Sequence, residues 1–324
     1  MNTPQPRVRH FDLAGGILIL WVMVFHAMST NKAFGAVDPR VALPFLTFSM
    51  PWFFYKSGKF FKVLEWRQGV KKDFQKFLIP FLKWSAIGYA IYLTMQLIDG
   101  TFTWVNCVKE PLHTFYIYGY IPINVPAWFL LSLLFVRVFA RLLIRWKINP
   151  IVCIVGGIAI GYSLHLLENP LPFYFPNIAM GIAYFMIGYR FGQFENKKYL
   201  FIPCLAGYLA FMLFGTSIVG HHRNILLSGH YLLWPLFAYC GIVTFNNLCR
   251  WIDAFLSRTS FRGFRLISFI GEHTMTLFVA HALIYMPVSH YSTLSPWQTV
   301  GLTCVGYVLF FTPLLWWKKK RYSA

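Results

Sequence analysis

Ten long apolar stretches limit the folds that this sequence can adopt. They begin near residues 11, 41, 77, 125, 148, 173, 199, 231, 265 and 297. A helix needs about 20 mainly apolar residues to cross the hydrocarbon core of a membrane. The chain is 57% hydrophobic and only 12% charged, whereas an average soluble domain has roughly 25% charged residues. The sequence therefore predicts an all-α polytopic membrane protein with about ten transmembrane helices, folded as a single domain over residues 1–324.

The positive charge of the chain is concentrated in alternate connections between these stretches. The formal net charge is +19, from 29 Lys and Arg against 10 Asp and Glu. If the N-terminus is cytoplasmic, the predicted topology leaves only Lys32, Arg40, Lys109 and Arg223 on the outer side. Cytoplasmic connections of membrane proteins are enriched in Lys and Arg. We therefore expect both termini to be cytoplasmic, and because topology accounts for the basic charge, we expect no nucleic-acid partner.

Two further sequence features exclude alternatives. The first apolar stretch continues to the length of a full span and shows no small-residue cleavage site after a short apolar run, so we expect a retained helix. The six cysteines show no CxxC or metal-ligand spacing, so we expect neither structural disulfides nor a bound metal.

His26 and His281 are the strongest candidates for catalytic residues. His26 lies about fifteen residues into the first span, roughly 22 Å from its cytoplasmic end. His281 lies at nearly the same depth of the ninth span, which runs in the same direction. An ionisable side chain at such a depth is costly unless it faces the protein interior or a cavity. The two imidazoles are therefore predicted to line a shared cavity, one acting as a base, although ordinary interhelical hydrogen bonds would also explain them.

Lys56 and Lys59 are candidates for binding an anionic ligand. They are three residues apart near the cytoplasmic end of the second span and so share a helix face. Paired ammonium groups there suit a phosphorylated cytosolic molecule. The alternative is that both side chains extend to the lipid headgroups. For the neighbouring carboxylate of Asp12 we expect a structural ion pair.

The outer connections are rich in aromatic and polar side chains that suit a sugar. Glu110 and His113 lie in the longest of them, which leads to Trp128 at the start of the fourth span. Aromatic rings can stack on a sugar while polar groups bind its hydroxyls. An interfacial aromatic belt would give much of the same pattern. His221 and His230 add polar groups to the seventh connection.

Five short segments, spread in order over nearly the whole chain, follow recognisable patterns. They are Phe11–Leu20 with Phe25–Ala27, which form an opening span; Met50–Gly58, which resembles an MPxFFxxSG segment; Pro126–Leu134, which resembles WFLxxL; Phe185–Gly188, which resembles FxxG; and Phe269–His281, which resembles lGxxSlxiYxxH. Together they resemble the acyltransferase 3 family of integral membrane acyltransferases, in particular its fucose 4-O-acetylase-like branch.

The resemblance implies transfer of an acyl group, usually acetyl, from cytosolic acetyl-CoA to a hydroxyl of an envelope polysaccharide or lipid-linked sugar. It implies a multi-pass protein of the bacterial cytoplasmic (inner) membrane, with acetyl-CoA as donor and no permanently bound cofactor. The proposed catalytic histidine of the family corresponds to His26, and the late histidine corresponds to His281. The family usually has Arg or Lys eleven residues before the first histidine, where this chain has Gly15. Arg9 is too far along the helix to replace it, so Lys56 or Lys59 is a candidate for that role.

Two other classes of protein fit the same features. Ten spans with intramembrane histidines also suit a proton-coupled transporter or a flippase. Gly15 makes a non-catalytic membrane protein with the acyltransferase fold a further possibility. Covalent transfer of label from acetyl-CoA to glycan separates the enzyme from both.

Overall fold

Helices account for nearly all of the chain that the computed structural model describes, which comprises residues 8–33, 46–166, 174–214, 220–221, 224–228, 233–257 and 262–323. In the first half the helices are α1 (Arg9–Thr30), α2 (Ser49–Lys59), α3 (Trp66–Asp73), α4 (Ile79–Ile98), α5 (Glu110–Tyr118), α6 (Trp128–Arg145) and α7 (Pro150–Leu166). In the second half they are α8 (Tyr174–Phe191), α9 (Lys198–Phe214), α10 (Leu233–Leu256), α11 (Arg262–Glu272), α12 (Thr274–Ala280), α13 (Ala282–Tyr291) and α14 (Pro296–Ser323).

The predicted all-α class is confirmed, with one small exception. Two short antiparallel strands, β1 (Gly220–His221) and β2 (Asn224–Ser228), form a hairpin between α9 and α10. Shorter helical turns connect the larger elements: a π-helical turn, Phe74–Leu78, joins α3 to α4, and a 3-10 turn, Val125–Ala127, leads into α6.

Four described helices are long and apolar enough to cross a membrane: Arg9–Thr30, Trp66–Ile98, Val125–Arg145 and Pro296–Trp317. A fifth span results if the helices Leu266–Glu272 and Thr274–Tyr291, which meet at an angle of 74°, cross together. Helices also occupy the described parts of the other predicted spans, but several are short. The count of about ten spans and the orientation of the termini therefore stay predictions.

Glycines bring α1 into very close contact with α11. A Cβ atom added at Gly271 would overlap the carbonyl oxygen of Asp12, and one added at Gly16 would overlap that of Ile267. Small residues at helix interfaces in membranes let backbones approach closely and gain dispersion contacts. This crossing fixes the first helix against the bent helical segment formed by α11, α12 and α13.

A second glycine pair joins α2 to α8. A Cβ at Gly58 would overlap the carbonyl oxygen of Phe185, and one at Gly188 would overlap that of Tyr55. Both glycines lie in segments that carry the family resemblance. The crossing fixes α2, which carries Lys56 and Lys59, at a set distance from the turn that follows α8.

A buried carboxylate holds α6 against the start of the third predicted span. Asp73 is only 1% exposed and accepts hydrogen bonds from the Nε atoms of Arg137 and Arg141, each at 2.7 Å. Arg137 also donates to the Ser57 hydroxyl at 2.9 Å. The sequence places all these groups on the cytoplasmic side, and the structure brings them together.

The close crossing of α1 and α11 makes Gly271 a sensitive position. Gly271→Ala should destabilise the protein by about 1–3 kcal/mol, because the added methyl group must push two packed backbones apart. Gly301→Ala in α14 is the matched control, since its added Cβ would meet open space. Thermal unfolding of the detergent-purified proteins should show a lower Tm for the first variant and an unchanged or higher Tm for the second. Equal Tm values would contradict the close crossing.

Candidate functional site

The bent segment places His281 in the interior of the protein. α11 ends at Glu272, the backbone of His273 leaves the helical conformation, and the chain turns by 74° into α12 and α13. His281 joins α12 to α13 with helical dihedral angles and is fully buried. The turn therefore carries the second candidate histidine toward α1.

His26 and His281 lie side by side, together with Tyr285. The centroids of the two imidazole rings are 5.4 Å apart. The Tyr285 ring is 5.6 Å from the His26 ring and parallel to it within 1°, and it is 5.6 Å from the His281 ring. His26 is partly buried, whereas Tyr285 is buried. The two histidines are neighbours, while the shared cavity and their catalytic roles stay predictions.

The hydrogen bonds of His281 assign its tautomer. Its Nδ1 lies 3.1 Å from the carbonyl oxygen of Leu277. A carbonyl can only accept, so Nδ1 carries the proton in the neutral ring and Nε2 carries a lone pair. That Nε2 atom is buried and has no hydrogen-bond partner in the described part of the chain. In this tautomer Nε2 can accept a hydrogen bond.

Sequence reasoning missed two tyrosines of this cluster. Tyr285 lies four residues after His281, and this helical spacing would have indicated a shared face. Tyr307 reaches the cluster from α14: its ring centroid is 6.4 Å from that of His281, and its hydroxyl donates to the Met23 carbonyl at 3.3 Å. No local pattern in the sequence indicates Tyr307, because its contacts depend on the packing of distant helices.

The two candidate lysines face carboxylates. Lys59 forms an ion pair with Glu195 and donates to the Gly192 carbonyl at 2.7 Å. The Lys56 ammonium lies 3.8 Å from the Asp12 carboxylate and donates to the Phe11 carbonyl at 3.1 Å. The structural ion pair expected for Asp12 is therefore present. Binding of an anion by these lysines stays a prediction, and any anion would compete with these carboxylates.

Glu195 is the centre of a buried polar network that the sequence did not reveal. Its side chain is fully buried and accepts from the Tyr55 hydroxyl at 2.6 Å and from Asn246 Nδ2 at 3.1 Å. The indole of Trp52 in turn donates to Asn246 Oδ1 at 2.7 Å. Glu195 lies in a short, basic connection that looks exposed in sequence. Its partners are 51 to 140 residues away, so only the fold identifies it.

The space beside Gly15 is occupied by Lys56. A Cβ atom at position 15 would lie 3.3 Å from the Lys56 Nζ atom and 3.3 Å from a methyl group of Thr274. Arg9 is directed elsewhere: its side chain is 60% exposed and pairs with Asp253 at 3.4 Å. The Lys56 ammonium therefore lies where a side chain at position 15 would begin, and its role in place of the family's Arg or Lys stays a prediction.

The residues predicted to bind a sugar differ in burial. Trp128 is buried at the start of α6. Glu110 and His113 are exposed and lie three residues apart on α5. The structure does not describe the side chains of His221 and His230. The substrate-binding roles of Trp128, His113 and Glu110 stay predictions.

Helices of membrane-spanning length carry a partly buried and a fully buried imidazole side by side, and ionisable groups inside a multi-pass membrane protein mark candidate functional sites. The sequence matches the acyltransferase domain of the acyltransferase 3 family over residues 9–316. The chain therefore belongs to this family of acyltransferases. Comparison with curated proteins and with solved structures finds no match. The family match does not resolve the fucose 4-O-acetylase-like branch.

The buried charge of Glu195 should stabilise the fold through Lys59. Glu195→Gln leaves the Lys59 ammonium without its carboxylate, and loss of one partner of a buried pair costs about 3–5 kcal/mol. Asp253→Asn removes the more exposed pair with Arg9 and should cost less than about 1 kcal/mol. Thermal unfolding of both variants measures the difference. An unchanged Tm for Glu195→Gln would show that the buried pair does not hold this end of the bundle together.

Proposed function

We propose that the protein is a membrane O-acetyltransferase of the bacterial cytoplasmic (inner) membrane. It transfers the acetyl group of cytosolic acetyl-CoA to a hydroxyl of an envelope polysaccharide or lipid-linked sugar, as the fucose 4-O-acetylase-like branch suggests. The observation that carries this proposal is the cluster of His26, His281 and Tyr285 inside a chain of the acyltransferase family.

In the proposed reaction, His26 acts as general base. It takes the proton of the acceptor hydroxyl while the hydroxyl oxygen attacks the thioester carbonyl. The tetrahedral intermediate then expels the CoA thiolate, which receives the proton from the imidazolium, so an ester and free CoA are formed. Stacking on Tyr285 fixes the plane of the His26 ring. Because the His281 ring is so close to the His26 ring, like-charge repulsion disfavours protonation of both rings at once. His281 therefore stays neutral when His26 is protonated, and its Nε2 can accept a hydrogen bond.

Lys56 is the residue best placed to contact the phosphates of the donor. Its contact with Asp12 is long, at 3.8 Å, so a phosphate can displace the carboxylate at modest cost. Lys59 is held by Glu195 and by a carbonyl, and so acts mainly on the position of α2. Gly15, which lies beside Lys56, precedes His26 by eleven residues, so the two positions are about 16 Å apart along the axis of α1. This separation suits an extended pantetheine arm with its thioester at His26.

A general-base role for His26 is tested by its replacement. His26→Gln should lower acetyl transfer by about 100-fold or more, because positioned general bases contribute about 10²–10⁴ in rate. His273→Gln, which changes another histidine of the bent segment, should keep most of the activity. Membranes containing each variant would be given acetyl-CoA labelled in the acetyl group, and ester label in glycan would be counted. Transfer by His26→Gln at the wild-type rate would exclude this role.

The same assay separates the enzyme from a carrier or a non-catalytic protein. Neither alternative forms a covalent bond between the acetyl group and glycan. If wild-type membranes leave no label in glycan under conditions in which the protein is folded, the proposed function is wrong.

Donor binding by Lys56 is tested through the KM for acetyl-CoA. Lys56→Ala should raise this KM about tenfold or more, since a hydrogen bond to a charged group contributes about 1.5–3 kcal/mol. Lys109→Ala on the outer side should leave it unchanged. Because the side chain of residue 15 would start beside the Lys56 ammonium, Gly15→Lys combined with Lys56→Ala should recover part of the lost affinity. An unchanged KM for Lys56→Ala would rule out the phosphate contact.

A further inference from the structure

Buried cations gather where α3 continues into α4. The Nε atoms of Arg137 and Arg141 both donate to the carboxylate of Asp73, at 2.7 Å each. The side chains of the two arginines are only 12% and 4% exposed. Because one carboxylate balances only one of the two guanidinium charges, a positive charge remains inside the protein.

Lys76 adds a second positive charge at the same place. Its ammonium lies 5.4 Å from the centroid of the Phe77 ring, and the Arg137 guanidinium lies 5.5 Å from that centroid. Both cations therefore contact one side chain. Asp73, Lys76, Arg137 and Arg141 form a basic cluster, in which three cations and one carboxylate give a net charge of +2.

The other carboxylate of this segment is used elsewhere. Glu65 is the remaining acidic residue between positions 60 and 83. Its side chain is exposed and caps α3 by accepting from the backbone N–H groups of Arg67 and Gln68. The enrichment of Lys and Arg in cytoplasmic connections explains exposed lysines, but not buried arginines. Because an uncompensated charge is costly in a low-dielectric surrounding, the basic cluster favours a further anion.

The arginines also have unused hydrogen-bond donors. Each guanidinium has five N–H groups. Besides the bonds to Asp73, Arg137 Nη1 donates to the Ser57 hydroxyl at 2.9 Å, and Arg141 Nη1 donates to the Lys62 carbonyl at 3.3 Å. Among the described residues, neither Nη2 atom has an acceptor. Guanidinium N–H groups match the geometry of phosphate oxygens.

The length of the helix places the basic cluster at a membrane surface. The continuous helix Trp66–Ile98 has 33 residues, whereas about 20 are enough to cross the hydrocarbon core. Its last 20 residues are those of α4. Asp73 and Lys76 precede α4 and therefore lie at the level of the lipid headgroups.

Apolar side chains are exposed beside the basic cluster. Phe74 lies between Asp73 and Lys76 in the chain, and Ile79 begins α4; both side chains are exposed. A phosphate that carries acyl chains would contact the cations and this apolar surface, whereas a water-soluble phosphate would contact the cations alone. Basic pockets between transmembrane helices on the cytoplasmic side bind anionic headgroups. The combination therefore favours a phospholipid.

The backbone geometry changes at the same place. Phe74–Leu78 is a π-helical turn that includes Lys76 and Phe77. Such turns are rare and are frequently found at functional sites. The turn and the excess of charge are different kinds of observation, and both indicate a ligand where α3 meets α4.

We propose that the basic cluster binds the phosphate of an anionic phospholipid. The phosphate lies between the Lys76 ammonium and the unused donors of Arg137, and the acyl chains lie along Phe74 and Ile79. The negative charge of the lipid offsets part of the buried positive charge and so stabilises the contact of α6 with α3. The lipid takes no part in acetyl transfer, so this inference is independent of the proposed function.

The first experiment compares ligands. Protein purified in a nonionic detergent would be titrated with dioctanoyl phosphatidylglycerol, dioctanoyl phosphatidylcholine or glycerol 3-phosphate, while thermal unfolding is followed. Phosphatidylglycerol should give a saturable rise in Tm that the other two do not give, because the choline group offsets the phosphate charge and glycerol 3-phosphate has no acyl chains. An equal rise with phosphatidylcholine, an equal rise with glycerol 3-phosphate, or no rise with phosphatidylglycerol would each overturn the proposal.

The second experiment locates the site. Lys76→Gln should raise the phosphatidylglycerol concentration that gives half of the maximal rise in Tm about fivefold, the effect expected for loss of one basic residue near an anionic lipid. Lys198→Gln removes an exposed lysine elsewhere on the same predicted side of the membrane and should leave this concentration unchanged. Equal shifts in the two variants, or no shift in Lys76→Gln, would contradict a local site.

A fixed carboxylate tests whether the basic cluster lacks an anion. Lys76→Glu should raise the Tm of the protein without added lipid, because it removes one cation and places a negative charge beside the arginines. It should also abolish the further rise with phosphatidylglycerol. Lys198→Glu should change neither quantity. A Tm of Lys76→Glu at or below that of the wild type, or an undiminished response to phosphatidylglycerol, would show that the buried charge is already balanced.

Discussion

The close packing of α1 against the bent segment is the constraint on which the rest of the site depends. Gly16 and Gly271 let two backbones approach to a distance that no side chain would permit. This contact fixes α1 where α11 turns into α12, and farther along it leaves room for two imidazoles and a phenol. A wider crossing would separate His26 from His281. The packing of α1 against α11 therefore determines whether the two imidazoles can be neighbours.

Buried ion pairs also fix the positions of helices, at the contacts of α6 with α3 and of α2 with α10. Asp73 joins two arginines of α6 to the third predicted span, and Glu195 joins α2 to α10 through Lys59, Tyr55 and Asn246. In low dielectric such groups are stable only when all their partners are present. They hold the lysine-bearing end of α2 in place, so that Lys56 lies beside α1 at the level of Gly15.

The sequence predicted the elements of the candidate site better than their contacts. Similar positions along two predicted spans led to the expectation that His26 and His281 meet, and their rings are adjacent. Rise along a straight helix does not explain the contact, because α11 and α12 meet at 74°. Tyr285 was missed, although its position four residues after His281 would have indicated a shared helix face. By contrast, Glu195 and the proximity of Lys56 to Gly15 arise from helices distant in sequence, and no local pattern encodes them. Glu110 and His113 have side chains suited to a sugar and are exposed on α5, and their substrate-binding roles stay predictions.

The central proposal is that an acetyl group passes from a donor on one side of the membrane to an acceptor on the other, with His26 as the general base. Proteoliposomes with the protein in one orientation test it directly, with labelled acetyl-CoA outside and acceptor glycan sealed inside, or the reverse. Label is expected in the glycan only when acetyl-CoA is on the side of Lys56 and the glycan is on the opposite side. Transfer only when both substrates are on the same side, or no transfer in any arrangement, would contradict it.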